Sequence, residues 1–229
     1  MKLLLSMALG IVLLVSQANA EEKKALQTTR EKQGYSIGAD VGNRLKSNAL
    51  DIDSDSLVQG LKDALSGGKL LLTEQEMKET LAGLQKELME KQAERTKQIA
   101  EKNKKEGEAF LAENSKKEGV KTLPSGLQYK VIKEGTGKTP KAEDTVVTNY
   151  KGTLTDGTEF DSSYKRGQPA TFPVKGVIPG WTEALQLMKE GSKWELFIPS
   201  SLAYGERGAG NAIGPNATLI FEIELISVK

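Results

Sequence analysis

The chain has no cysteine and no histidine among its 229 residues. Without cysteine it can form neither a disulfide nor a thiolate nucleophile. Without histidine it lacks an imidazole general base and the usual ligands of a zinc site. We therefore predict no cofactor-binding and no metal-binding residues. A fold without disulfides must be held by its core or by oligomerisation.

An excess of charge of one sign is also missing, because 32 Lys and Arg residues stand against 31 Asp and Glu residues. A balanced chain of this kind gives no reason to expect a nucleic acid or an anionic membrane surface as partner. We expect no nucleic-acid function.

The long hydrophobic run of the chain lies at its beginning. Lys2 precedes an almost wholly apolar stretch from Leu3 to Val15, and Ala18-Asn19-Ala20 has the small-x-small pattern of a cleavage site. The stretch is too short to span a bilayer, so residues 1–20 are predicted to be a secretory signal peptide. An uncleaved membrane anchor is the alternative. Export predicts a periplasmic protein, with association with the outer membrane or the cell surface as a second reading.

Aromatic residues are scarce in the first half of the chain. Of five Phe, five Tyr and two Trp residues, only Tyr35 and Phe110 precede residue 122. Because aromatic side chains dominate the energetics of cores, we expect a globular domain over residues 122–229 and a region stabilised differently before it.

The region before residue 122 is predicted to be helical. Residues 31–45 and a segment capped by Asp53 or Ser54 place apolar residues at helical spacing within a module over 21–72, and Gly67-Gly68 ends the second helix. Thr73-Glu74-Gln75-Glu76 is a capping box that begins a long helix. Charged residues dominate that helix in its second half, which favours a solvated connecting helix over 73–118. A partly disordered linker is the alternative.

The apolar faces of these helices need a partner. Two short helices and half of a long one cannot bury their apolar residues in one small core. We therefore predict a homodimer formed through residues 21 to about 90. The leucines concerned are Leu57, Leu61, Leu65, Leu81, Leu84 and Leu88.

The region after residue 122 contains short runs typical of strands. Asp156-Gly157 is a hairpin turn signal, and one short helix is predicted from Trp181 to Met188. A single helix against a curved antiparallel sheet is an α+β domain, which should enclose one apolar pocket between the helix and the sheet. The predicted strands are 127–133, 145–154, 158–162, 170–174, 193–198 and 218–228.

Six pieces of this region resemble FKBP-type peptidyl-prolyl cis-trans isomerases over residues 122–229. They are Leu-Pro-Ser-Gly-Leu-Gln-Tyr at 123–129, Val-Thr-Asn-Tyr-Lys-Gly-Thr-Leu at 147–154, Asp-Gly-Thr-Glu-Phe-Asp-Ser-Ser at 156–163, Val-Ile-Pro-Gly-Trp at 177–181, Ala-Tyr-Gly at 203–205 and Pro-Asn-Ala-Thr-Leu-Ile-Phe at 215–221. The plan of signal peptide, helical dimerisation module, long connecting helix and isomerase domain resembles the Mip-like branch of that family. The resemblance implies an FKBP-like curved antiparallel sheet wrapped on one short helix.

The resemblance also implies an active cleft. Trp181 would be its floor, the Ile178 N–H and the Tyr204 hydroxyl would bind substrate carbonyls, and Asp161 would act electrostatically at the rim. Without the resemblance, the large aromatics would be ordinary core residues and Asp161 a turn residue. The implied catalytic positions are Tyr150, Phe160, Asp161, Ile178, Trp181, Tyr204 and Phe221, and the implied substrate contacts are Val177, Phe172, Ala170 and Ile213.

The implied function is isomerisation of prolyl bonds during the folding of exported proteins, together with chaperone activity. Such a reaction needs no nucleophile, cofactor or metal. Its partners would be proline-containing polypeptides, unfolded exported proteins and inhibitors of the tacrolimus and rapamycin type. Ala170 and Ala209 stand where many members carry larger side chains, which implies a more open pocket. Two alternatives are a dimeric holding chaperone and a surface or virulence-associated binding protein.

Overall fold

A computed structural model describes residues 25–229 of the chain. The described part falls into two compact units, the first ending at Glu76 and the second running from Met77 to Lys229. The predicted signal peptide lies outside the described residues. Within residues 25–229, no helix combines the length and the apolar composition that a membrane span requires.

The first unit contains two helices, α1 (Thr29–Ser47) and α2 (Ser54–Ser66). Thr28 caps α1 in a reciprocal capping box with Glu31. Asp53 caps α2 by accepting a hydrogen bond from the Ser56 N–H at 2.7 Å, and Gly67 ends it with a φ of +67°. Both helices confirm the sequence prediction.

These two helices have no buried face of their own. No residue of α1 or α2, both of which lie wholly within the described part of the chain, is buried. Leu65 is 80% exposed, and Leu71, which follows α2, is 83% exposed. The caps therefore define where the helices begin and end, but the unit has no packed core to stabilise it.

Helix α3 (Glu74–Asn114) begins at the predicted capping box. The Thr73 Oγ1 accepts from the Glu76 N–H at 3.2 Å, and the Glu76 carboxylate accepts from the Thr73 N–H at 2.8 Å. The helix ends four residues before the predicted boundary at 118. Asn114 is buried there, and its side-chain amide donates to the Gln128 Oε1 at 3.0 Å.

The last turns of α3 pack on the C-terminal sheet, although the charged second half of this helix was predicted to be solvated. The Phe110 ring lies 6.0 Å from the Phe197 ring, centroid to centroid. Gly107 is buried, and a Cβ at this position would overlap the Thr218 hydroxyl. The sparse apolar positions of this charged stretch therefore form a narrow contact stripe, which a count of charged residues conceals.

The C-terminal sheet has seven strands in the order β1-β2-β6-β7-β3-β4, with every pair antiparallel. The fifth strand pairs with the same edge of β3 as β4 does, but nearer to the start of β3. The first strand and the short helix α4 were not predicted. The strands are β1 (Val120–Thr122), β2 (Gln128–Lys133), β3 (Thr145–Leu154), β4 (Glu159–Ser162), β5 (Ala170–Pro173), β6 (Lys193–Ile198) and β7 (Leu219–Val228), and α4 spans Ser163–Arg166.

Helix α5 (Pro179–Leu185) lies against this sheet and closes the core. It begins two residues before the predicted Trp181 because Pro179 occupies its first turn, where a missing N–H costs nothing. It ends before the predicted Met188, because the Leu187 and Met188 N–H groups both donate to the Ala184 carbonyl in a tight turn. Met188 is nevertheless fully buried, so its apolar character reflects the core rather than the helix. The α+β fold class is confirmed.

Candidate active site

A cavity of about 670 Å³ opens between α5, the sheet and the loop after β6. Its walls come from segments far apart in the sequence, and apolar side chains dominate them. The lining residues are Tyr150, Phe160, Asp161, Phe172, Gly176, Val177, Ile178, Trp181, Tyr204, Ala209, Gly210, Ala212, Ile213 and Phe221.

The floor of the cavity is Trp181, which is only 4% exposed. Three aromatic rings meet the indole nearly at right angles, namely Tyr150 at 5.2 Å, Phe172 at 5.8 Å and Phe221 at 5.1 Å between centroids. Such edge-to-face contacts fix ring orientation as well as burying area. The indole is held here because Gly180 lets α5 approach β6 closely; a Cβ on Gly180 would lie 2.6 Å from the Ile198 Cγ2.

One wall is built by Phe160 of β4 and Phe221 of β7, whose centroids are 5.4 Å apart in an edge-to-face contact. Both rings pack against Gly152, near the end of β3. A Cβ at Gly152 would lie 2.6 Å from the Phe160 ring and 2.7 Å from the Phe221 ring. A glycine inside a strand marks such a close approach. The sequence analysis did not single out Gly152.

The rim carries a polar triad of Tyr150, Asp161 and Arg166. The Tyr150 hydroxyl donates to the Asp161 Oδ2 at 2.5 Å, and the Arg166 Nη2 donates to the Tyr150 hydroxyl oxygen at 2.6 Å. Arg166 also forms an ion pair with Asp161, and its guanidinium carbon lies 5.3 Å from the Tyr150 ring centroid. The three side chains therefore hold one another at the mouth of an apolar cavity.

These contacts determine the ionisation of the rim. Partial burial works against the charge on Asp161, but hydrogen bonds from Tyr150 and Arg166 and the positive charge of Arg166 outweigh it, so the pKa of Asp161 lies below its ordinary value. Burial, and then the adjacent carboxylate, raise the pKa of Tyr150. At neutral pH the rim is thus an aspartate, a neutral phenol and a guanidinium.

Arg166 is the functional residue that the sequence analysis missed. Ser162 caps α4 and Gly167 ends it with a φ of +73°, so one helical turn returns Arg166 to Asp161. The sequence did contain a signal for this helical turn, because Ser162 is a favoured N-cap residue and Gly167 is a favoured residue at a helix C-terminus. The Asp161 Oδ1 accepts from the Ser162 N–H at 2.8 Å, so Asp161 also has a local turn contact.

Ten of the eleven predicted site residues line this cavity. Ala170 does not line it; it lies half-buried in β5, opposite Thr148 of β3, and packs against the core. The structure adds Gly176, Ala209, Gly210 and Ala212 to the lining. Tyr204 is 41% exposed at the edge of the cavity.

An aromatic-lined cavity with a charged rim, on an antiparallel sheet with one helix, has the chemistry of a non-covalent site for a small apolar ring. Two family models match the chain. The model described as "FKBP-type peptidyl-prolyl cis-trans isomerase" matches residues 136–226. The model described as "Domain amino terminal to FKBP-type peptidyl-prolyl isomerase" matches residues 30–131.

Similar proteins extend over the whole chain. It is 52% identical to "Outer membrane protein MIP" of Legionella longbeachae, covering 100% of this chain and 98% of that one. It is 47% identical to "Peptidyl-prolyl cis-trans isomerase Mip" of Coxiella burnetii, covering 100% and 99%. The crystal structure of FkpA from Escherichia coli superposes with a TM-score of 0.73 at 41% identity, covering 90% of this chain and 99% of that one. The chain belongs to the FKBP-type peptidyl-prolyl cis-trans isomerases and is such an enzyme.

Proposed function

We propose that the cavity above Trp181 is where the prolyl bond rotates, with the proline ring on the indole and the twisting amide at the Tyr150–Asp161–Arg166 rim. The observation that carries this proposal is the junction of an aromatic chamber with a charged, internally hydrogen-bonded rim. Tyr150, Phe160, Phe172, Val177, Ile213 and Phe221 would enclose the ring.

The reaction requires only that the twisted amide be favoured. The partial double bond gives a barrier of about 18–20 kcal/mol, and no bond to another atom is made or broken. The planar amide is the more charge-separated form, so an apolar chamber stabilises it less than water does. Interactions made only with the twisted state then lower the barrier.

Asp161 supplies such an interaction as an anion. Its lowered pKa keeps it ionised at neutral pH, and Tyr150 and Arg166 fix its position. A charge held in place beside an apolar chamber interacts more strongly than a mobile one in bulk water, although the Asp161 side chain is itself 43% exposed. Its role is therefore electrostatic, and no proton is transferred.

The substrate backbone would be held by two donors from residues that line the cavity. Ile178 precedes the first turn of α5, and its N–H donates to no acceptor among residues 25–229. It is therefore available to a substrate carbonyl. The Tyr204 hydroxyl, at the edge of the cavity, would bind a second carbonyl.

The test is an isomerisation assay on a short proline peptide with Asp161→Ala in the full chain. We expect kcat/KM to fall about tenfold, as for loss of one charge-assisted interaction. The matched control is Glu143→Gln, because Glu143 is an exposed carboxylate in a surface ion pair with Lys175. Full activity of Asp161→Ala would refute the electrostatic role.

We further propose a homodimer through the helical module 21–72 and the first part of the connecting helix 73–118, with the isomerase module over 122–229 as its catalytic part. The support is the exposure of apolar side chains that a second copy would cover, including Leu57, Leu61, Leu65 and Leu81. Sedimentation of the mature chain at micromolar concentration should give a dimer, and a monomer there would refute this proposal.

Clients and location follow from the predicted signal peptide. We propose a periplasmic enzyme whose substrates are proline-containing, unfolded exported polypeptides. One similar protein is named as an outer membrane protein, which keeps association with that membrane as the alternative. Fractionation of cells expressing the full chain would separate the two locations.

A second candidate function is the holding of unfolded clients. The exposed Leu70, Leu71 and Leu72, which follow α2 and are not among the leucines assigned to the dimer face, favour it, because such side chains can contact unfolded chains. Suppression of aggregation of a proline-free client by the Asp161→Ala variant would show holding without isomerisation. Inhibition by tacrolimus and rapamycin is expected if the cavity accepts their six-membered ring over Trp181, and calorimetry measures it.

A further inference from the structure

The loop over residues 204–217 forms one side of the active cavity and has little internal packing. It contributes Tyr204, Ala209, Gly210, Ala212 and Ile213 to the lining. Its internal hydrogen bonds include the Ala209–Ile213 bridge, the 2.8 Å bond from the Asn216 N–H to the Gly205 carbonyl, and a longer one of 3.4 Å from the Ala217 N–H to the Gly214 carbonyl. Four of its residues are glycines, at positions 205, 208, 210 and 214. Because glycine gives a chain more conformational freedom than any other residue, such a loop needs contacts from outside to hold one conformation.

Helix α3 supplies contacts on the other side of this loop. The Asn103 side-chain amide donates to the Pro215 carbonyl at 2.8 Å. The Asn216 side-chain amide donates in the opposite sense to the Ala100 carbonyl of α3, at 3.4 Å. We call these reciprocal contacts, together with Gly107 against Thr218, the helix–loop clamp.

The clamp depends on close approach. Gly107 and Thr218 are both buried, and a Cβ on Gly107 would overlap the Thr218 Oγ1 and lie 3.2 Å from the Thr218 Cβ, so an alanine there requires the Thr218 side chain to turn or the helix to shift. A Cβ on Gly214 would likewise lie 3.0 Å from the Asn103 amide nitrogen and 3.4 Å from the Ile99 Cγ2. Helix α3 and the segment 214–218 therefore pack closely over about two turns, with a glycine on each side against side chains of the other.

Asn216 contacts both the start of the loop and helix α3. Its backbone has a φ of +56°, in the left-handed region that most residues avoid. In that conformation its N–H closes the two ends of the loop while its side chain reaches α3. A polar residue held in an unusual conformation by contacts on both sides indicates that this position is fixed by its surroundings.

We propose that the last turns of α3 position the loop 204–217 over the prolyl cavity, and that Asn103 is a positioning residue for isomerisation. Asn103 is not among the cavity-lining residues and would act through Pro215 and the loop. A small displacement of groups that contact the reacting bond is enough to lower the rate. This inference rests on the proposed role of the cavity.

The main test compares Asn103→Asp with Gln98→Glu in the full chain. Both changes replace an amide donor by a carboxylate on α3, but Gln98 is exposed and its side chain bonds only within the helix, to Glu94. We expect Asn103→Asp to lower kcat/KM on a short proline peptide about fivefold, as for loss of one ordinary hydrogen bond. We also expect faster hydrogen exchange at the loop amides, and no change in either measurement for Gln98→Glu.

A second pair covers the case in which Asn103→Asp fails to fold. Gly107→Ala and Gly83→Ala raise the helix propensity of α3 equally, yet a Cβ at Gly83 would meet nothing within 4 Å. We expect Gly107→Ala to lower kcat/KM about fivefold and Gly83→Ala to leave it unchanged. A merely structural contact would change the unfolding temperature without changing kcat/KM below it.

The inference is overturned if a folded Asn103→Asp or Gly107→Ala variant keeps wild-type kcat/KM, or if its activity falls with unchanged exchange of the loop amides. An inactive wild-type chain, or a fully active Asp161→Ala variant, would instead refute the proposed function of the cavity. The two failures are therefore distinguishable in one set of assays.

Discussion

The two helices at the start of the chain and the sheet domain at its end are ordered by different means. Caps at Thr28, Asp53 and Gly67 define α1 and α2, which bury no residue of their own. The sheet domain encloses a continuous core with fully buried Leu196 and Ile198. Leucine is therefore buried in the core of one region and exposed on the helix surface of the other.

The largest expected effect separates these two uses of leucine. Leu196→Ala should lower the free energy of unfolding of the sheet domain by about 2–5 kcal/mol, because Leu196 is fully buried. Its effect should not depend on protein concentration. Urea unfolding followed at two concentrations measures both properties.

The contrasting variant is Leu61→Ala, at a site that is 55% exposed in the single chain. If a second copy covers this face, the loss of stability caused by Leu61→Ala should be largest at high protein concentration and should shrink on dilution, because association stabilises neither protein once both are monomeric. A concentration-independent cost like that of Leu196→Ala would contradict the proposed dimer.

A smaller effect is expected at the contact between α3 and the sheet. Phe110 is half-buried against Phe197, so Phe110→Ala should lower the stability of the sheet domain by about 1–3 kcal/mol, less than for a fully buried phenylalanine. Met89→Ala is the control, since Met89 is exposed on the same helix. Equal thermal midpoints for the two variants would show that the docked turns contribute nothing.

The smallest effect concerns pH. Because the pKa of Asp161 is lowered on folding, its ionised form contributes stability above the ordinary pKa of aspartate, and this contribution is lost as pH falls through the lowered value. Tyr150 stays neutral at alkaline pH because its pKa is raised. With no histidine in the chain, kcat/KM should be flat across neutral pH and fall only as the pH drops below the ordinary pKa of aspartate.

The control for the pH profile is Asp161→Asn, which should be less active than the wild type and lack the acidic fall. A fall that persists unchanged in this variant would assign the acidic limb to another group.

Much of the sheet domain could be predicted because its strands follow simple patterns. The predicted bounds of β3 and β6 agree with the structure, since each alternates or is bounded by clear turn signals. Most of the cavity residues could be assigned only through the resemblance to a family, because a buried Trp181 alone is indistinguishable from a core residue. Their catalytic roles stay predictions.

What could not be predicted depends on contacts distant in sequence or on a single turn. The docking of Phe110 and Gly107 is invisible in a charged helix, because their partners Phe197 and Thr218 lie about 90 to 110 residues later. Arg166 reaches Asp161 only because α4 is one turn long. Ala170 faces the same side of β5 as Phe172, which lines the cavity, but it is not itself among the lining residues, so its role, assigned through the resemblance, stays a prediction.

We propose that catalysis resides in the cavity of the second compact unit and does not need α1 and α2. The most direct measurement is kcat/KM of a fragment over residues 77–229 on a short proline peptide, beside the full mature chain. The fragment keeps the sheet, α5 and the docked turns of α3. We predict a value within about twofold of the full chain, as expected for changes far from the reacting groups. A folded fragment without activity would contradict the account.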